Sequence, residues 1–109
     1  MIARVWQGWA ARGADAEAYQ RHYETEVSDH LGRVPGFRGA RLLRLDDGDE
    51  VRFTSITYFA SMADVRGFAG DDPGAAVVED AARRVLTRWD ERVAHHDVAV
   101  QVSGGTVEA

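Results

Sequence analysis

"FRGARLLRLDDGDEVRFTSITYF", residues Phe37 to Phe59, decides how the 109-residue chain folds. Two β-type runs, Phe37–Leu45 and Val51–Phe59, flank the insert Asp46–Glu50, where Gly48 is free to take a positive φ; the pattern predicts two antiparallel strands joined by a hairpin turn. In the second strand the side chains alternate, so Ser55, Thr57 and Phe59 share one face while Thr54, Ile56 and Tyr58 share the other. Ile56 and Tyr58 suit a helix-covered side, which predicts that the two hydroxyls face the opposite, open side.

Upstream of the hairpin, Pro35-Gly36 ends an amphipathic helix predicted over Ala16–Val34, where Tyr19, Tyr23, Val27 and Leu31 recur every four residues. Asp15 is the expected helix cap, after a loop at Ala10–Ala14. The chain begins with a predicted strand, Met1–Trp9, that sets Ile2, Arg4 and Trp6 on one face. Downstream, Ser61 stands three residues before Asp64 in a capping-box-like start of a second helix through Phe68 and Ala69, closed by Gly70. Asp71–Gly74 reads as a turn, Val77–Glu91 as a third helical stretch, and Val93–Val102 as the last strand. The order β-α-β-β-α-(α)-β predicts one α+β domain over residues 1–102, ferredoxin-like, with a four-stranded antiparallel sheet and helices on one face. Residues 103–109 read as a flexible tail. The uncovered face, assigned Trp6, Phe53 or Phe59 and several aliphatics, is expected to meet a second copy of the chain.

Composition narrows the function. The net charge is −5, the thirteen cations are all Arg, and no basic stripe concentrates them, so nucleic acid is not an expected partner. The absence of Cys excludes thiolate nucleophiles and cysteine-ligated zinc or iron–sulfur sites. No apolar run approaches the roughly 20 residues of a membrane span, and no signal-type segment opens the chain; no membrane association and a cytoplasmic protein are expected.

The candidate site residues follow from alternation. Trp6 offers a flat wall for a planar substrate and Arg4 a fixed cation for a developing oxyanion. On the last strand Val93, His95 and Asp97 share a side; His95, with an ordinary pKa near 6.5, is the candidate base and Asp97 its orienting partner. Ser55 and Thr57 supply two hydroxyls in an apolar wall, and Phe59 continues that wall. His22, Glu26 and His30, spaced i, i+4 and i+8 with Arg33 after them, read as a solvated, ion-paired helix face with no metal.

"IARVWQGW" at Ile2–Trp9, "PGFRGARLLR" at Pro35–Arg44, "SMADVRGFAGDD" at Ser61–Asp72 and "VAHHDV" at Val93–Val98 resemble, in order and spacing, the antibiotic biosynthesis monooxygenase (ABM) family of dimeric α+β barrels. The resemblance implies a homodimer whose two sheets form a barrel, with a pocket in each subunit between sheet and helices. It further implies a small-molecule substrate and O2, with activities across the superfamily that include cofactor-free oxygenation of phenols, haem breakdown and polyketide cyclisation. Haem-degrading relatives ligate iron through a His on the second helix, and Met62–Ala69 has none. The expectation is therefore a monooxygenase-type enzyme without cofactor or metal, acting on a planar phenolic or enolisable polyketide-like compound. The alternatives are a cyclase of the same fold and a non-catalytic binding module.

Overall fold

A computed structural model of the chain describes residues 1–104; the tail expected at 103–109 thus lies mostly outside the described residues. The elements in order are β1 (Ile2–Ala11), α1 (Ala14–His22), a π-helical turn (Tyr23–Val27), α2 (Ser28–Gly32), β2 (Phe37–Asp47), β3 (Glu50–Phe59), α3 (Met62–Ala69), α4 (Asp80–Arg83), β4 (Leu86–Trp89) and β5 (Ala94–Asp97). All pairings are antiparallel in the order β2-β3-β1-β4, and β5 shares β1's outer edge with β4. β5 pairs with Ile2–Val5 and β4 with Gly8–Ala10, so two short strands laid end to end fill the fourth position of a ferredoxin-like sheet. The expected α+β class is the one observed.

The hairpin forms as the sequence predicts, with Gly48 at φ 64°. Ser61 caps α3: its Oγ accepts from the Asp64 backbone N–H at 3.2 Å and donates to the Asp64 carboxylate at 3.0 Å. The first helix starts differently. Gly13, at φ 91°, precedes α1 without any side-chain cap, and Asp15 sits inside the first turn, where its negative charge meets the positive helix end. β1 also runs on through Ala10 and Ala11, which the sequence reads as loop.

The helix expected over Val77–Glu91 is confined to Asp80–Arg83. Val78, Ala82, Val85, Leu86 and Trp89 do recur at helical spacing. A helix there would nevertheless leave the backbone groups of Gly8–Ala10 unpaired at the sheet edge, and Leu86–Trp89 pairs with them as a strand. At the bulge between Trp9 and Ala10 the Thr87 hydroxyl donates to the Trp9 carbonyl at 3.1 Å. The last strand stops at Asp97 rather than Val102, because β1 ends where Val98 N–H bonds the Met1 carbonyl.

One expectation is inverted. Ser55, Thr57 and Phe59 do share a face with Arg4, Trp6 and His95, but that face lies under the helices. Val51 and Phe53 lie on it too, and with Phe59 they are at most 2% exposed. These three large anchors outweigh the pull of Ile56 and Tyr58, which end half-buried on the outer face. The core consists of two clusters on the helix side. One gathers Ala10, Ala16, Tyr19, Val51, Phe53, Ala82 and Leu86; the other gathers Ile2, Phe59 and Val65.

Candidate active site

Between the two clusters the packing opens into a cavity of about 80 Å³. Arg4, Trp6, Ser55 and Thr57 make its floor; Tyr19, His22, Tyr23 and Leu31 its roof; Phe68 and Val77–Glu79 its side. The π-helical turn explains the roof. It opens at Tyr23, directly after His22 ends α1, a local irregularity of the kind frequent at functional sites.

Arg4 is 5% exposed, and burial lowers its pKa. Its Nη1 donates to the Pro73 carbonyl at 2.5 Å and to His95 Nε2 at 2.9 Å, and its Nη2 donates to the Ala75 carbonyl at 2.8 Å. A guanidinium has five N–H donors, so two remain beyond these three bonds. No carboxylate pairs with Arg4 among the described residues. Its guanidinium also lies 5.6 Å from the Phe68 ring centre.

Trp6 anchors its indole N–H on the Asp90 carbonyl at 2.8 Å and leans toward Tyr19, ring centres 6.4 Å apart. The indole lies over Gly8, where any side chain would collide with it. Ser55 Oγ and the Tyr23 hydroxyl share a hydrogen bond of 3.2 Å. Tyr19 is held as a neutral phenol, its pKa pushed above the usual range by burial and then by Tyr23 and Glu79.

The remaining sequence candidates stand off the cavity. His95 sits behind Arg4; because an arginine can only donate, Nε2 accepts and a neutral ring carries its proton on Nδ1. Burial, then the Arg4 charge and His96, lower the pKa of His95. Asp97 is exposed on β5, and the partner of His95 among the described residues is Arg4. Phe59 is fully buried below Phe68, ring centres 5.5 Å apart. Tyr19, His22, Tyr23 and Phe68 are cavity residues that the sequence presents only as helix periodicity. Val77–Glu79 carries no signal at all, since it reads as part of a helix. His22, which its spacing places on a solvated face, instead has a side chain only 8% exposed, between Glu26 and Glu79.

No family model matches the sequence, and no curated protein matches it. Solved structures do match its fold. The heme-degrader MhuD from Mycobacterium tuberculosis, with two hemes bound in its active site, is 17% identical, aligns over 94% of this chain and 100% of its own, and has a TM-score of 0.65. SnoaB, a cofactor-independent oxygenase from Streptomyces nogalater, is 21% identical over 93% of this chain and 95% of its own, with a TM-score of 0.57. The monooxygenase from the gene ActVA-Orf6 of Streptomyces coelicolor, in complex with the ligand Nanaomycin D, is 14% identical over 99% of this chain and 92% of its own, with a TM-score of 0.61. The chain therefore shares the α+β fold of these three proteins.

Proposed function

We propose that the protein is a cofactor-independent, monooxygenase-type enzyme acting on a planar phenolic or enolisable, polyketide-like small molecule. The observation that carries this reading is Arg4: a buried cation with no carboxylate partner among the described residues and two N–H groups to spare, on a cavity floor it shares with Trp6, Ser55 and Thr57. An enolate or phenolate oxygen completes its coordination, and the low dielectric of the site strengthens that contact. The Tyr23–Ser55 hydroxyl pair offers a second point for a substrate oxygen, and Trp6 a surface for the ring. The bound anion is electron-rich enough to pass one electron to O2. Recombination forms a carbon–oxygen bond and, on protonation by the proton lost at enolisation, a hydroperoxide; its O–O bond breaks as the same carbon loses its remaining C–H proton, leaving one oxygen as a carbonyl and releasing the other as water. His95 does not line the cavity and serves as a positioning residue for Arg4.

Size sets a condition on this reading. A cavity of roughly 150 Å³ takes one benzene, whereas this one holds about 80 Å³. A fused-ring substrate therefore extends beyond this space, past the Val77–Glu79 wall or past Tyr23 and Leu31 into the adjoining cleft of about 600 Å³ that Leu42 and Phe53 line. Arg4 holds the base of the Val77–Glu79 wall through the Pro73 and Ala75 carbonyls, so the guanidinium that receives the substrate oxygen on its spare N–H groups also latches that wall to the sheet. We further propose that a second copy covers the outer face, where Val5, Ile56 and Tyr58 are half-buried and Leu43 and Leu45 are 49% and 54% exposed; light scattering on the purified chain reads this directly.

The test of the activity is oxygen uptake with an anthrone-type ketone. Uptake that needs both protein and ketone, is abolished in Arg4→Met and Trp6→Ala and is reduced in His95→Ala supports the reading. Ring closure that proceeds under argon would identify a cyclase instead, and ligand binding without turnover would identify a binding module.

A further inference from the structure

At the mouth of the cavity, α1, the π-helical turn and the segment entering α4 bring three donor side chains together. His22 Nδ1 lies 3.1 Å from a Glu26 carboxylate oxygen, and His22 Nε2 lies 3.7 Å from a Glu79 carboxylate oxygen. Ligand atoms of all three residues fall within 4.8 Å of one another. The His22 side chain is more than nine-tenths buried, and its Nε2 has no hydrogen-bond partner among the described residues. At 3.7 Å the gap to Glu79 is too long for a hydrogen bond. A lone pair on that nitrogen would instead oppose a carboxylate across a gap closed to water. A cation between them resolves the opposition.

We infer that His22, Glu26 and Glu79 bind a divalent cation of the zinc class, with a further coordination position open toward the cavity. Zinc holds nitrogen and carboxylate ligands at about 2.0–2.2 Å, which separates neighbouring tetrahedral ligands by roughly 3.4 Å. A metal on Nε2 already has Glu79 near that distance, at 3.7 Å, and must draw Glu26 across from Nδ1, which it meets at 3.1 Å; the three ligand atoms span no more than 4.8 Å. One imidazole with two carboxylates suits zinc, cobalt and their neighbours better than calcium or magnesium, which take oxygen alone. The carboxylates are 68% and 44% exposed, free to make the small shifts that closure requires. Three protein ligands with one open position is the arrangement of reactive rather than structural zinc.

The site stands apart from the oxygenase reading, since zinc has no redox chemistry of its own. It fastens the Val77–Glu79 wall to the first helix, at the end of that wall away from the Arg4 latch. The experiment uses the untagged full chain, stripped with a chelator and titrated with Zn²⁺ by calorimetry and with Co²⁺ by visible absorption. One equivalent of Zn²⁺ and a tetrahedral Co²⁺ spectrum are expected, lost in His22→Ala, weakened at least tenfold in Glu26→Gln and Glu79→Gln, and unchanged in His96→Ala on the outer face. Glu79 is a surface residue, so its variant decides the matter even where His22→Ala fails to fold. The inference is overturned by no stoichiometric uptake or by equal affinity in Glu79→Gln.

Discussion

On the helix side of the central strand pair, Phe53 and Phe59 are fully buried, and Ser55 and Thr57 between them face Trp6 and Arg4 across β1. On the outer side the same strand carries Arg52, Thr54, Ile56 and Tyr58, all half-buried. Counted by polarity the two faces differ little. They differ in arrangement: on the inner face the large apolar residues sit at the ends and the polar ones in the middle, which is what a cavity needs when its walls must be rigid and its floor reactive. The outer face interleaves charge, hydroxyl and aliphatic from end to end, as a surface shared with water or a partner does. Truncating the inner anchor is expected to have the largest effect of any change considered. Phe53→Ala should lose about 3–5 kcal/mol, the usual cost of deleting a buried aromatic, against about 1 kcal/mol for Ile56→Ala. Urea unfolding of the two variants measures this, and equal losses would erase the distinction between the faces.

The polar middle of the inner face gives the next effect. Arg4→Met keeps the volume but removes the donor from the Pro73 and Ala75 carbonyls and from His95. We expect a loss of about 2–3 kcal/mol, since unsatisfied buried acceptors each cost about 1–3 kcal/mol. Hydrogen exchange should locate it: the amides of Ala76 and Val93, bonded to the Glu91 and Gly74 carbonyls beside the latch, exchange faster. Thr54→Val on the outer face should move neither. Unchanged protection in Arg4→Met would separate the guanidinium from the cavity wall.

Much of the site was legible because alternation is rigid. Once β1 and β3 are strands, the parity of Arg4, Trp6, Ser55 and Thr57 follows, and the register pairs Arg4 with Thr57 and Trp6 with Ser55. Parity does not say which face the helices cover. That was decided by Val51, Phe53 and Phe59, residues at the ends of the run, whereas Ile56 and Tyr58 at its centre suggested the reverse. The segment from Val77 to Glu91 was illegible for another reason: its spacing fits a helix, and only the open edge of β1, a partner far away in sequence, turns Leu86–Trp89 into a strand. His22 lies three residues after Tyr19, on the buried side of α1, and the π-helical turn that follows breaks the straight i, i+4, i+8 row which its spacing with Glu26 and His30 suggests.

Two glycines sharpen the contrast at smaller cost. Gly8 lies under the Trp6 indole, so Gly8→Ala forces the ring off its seat and should cost about 1–3 kcal/mol, as overpacking does. Near-ultraviolet circular dichroism reports the displaced ring. Gly67, exposed within α3 and with nothing near its missing side chain, should gain about 0.5–1 kcal/mol on becoming Ala, because the helix no longer orders a flexible glycine. If Gly8→Ala behaved like Gly67→Ala, Trp6 would not be fixed as the cavity floor.

The smallest effect belongs to His95, the residue joining the inner face to the edge strand. Its pKa in the folded protein is held below the ordinary 6.5, first by burial, then by the adjoining Arg4 charge and by His96. The unfolded chain, where the ring has its ordinary affinity, therefore binds more protons than the folded chain just below that value. Stability must rise with pH through this window and fall as acid is added, with the loss levelling off below the folded pKa. Urea midpoints at about pH 5 and pH 7.5 should thus differ in the native sequence and differ less in His95→Asn, which takes no proton. His96→Ala, on the exposed face of β5, removes one of the repelling neighbours and should narrow the difference only slightly. An undiminished difference in His95→Asn would mean that the Arg4 contact carries no proton linkage, and the imidazole would then be a spacer between the sheet edge and the cavity rather than an acceptor that orients the guanidinium.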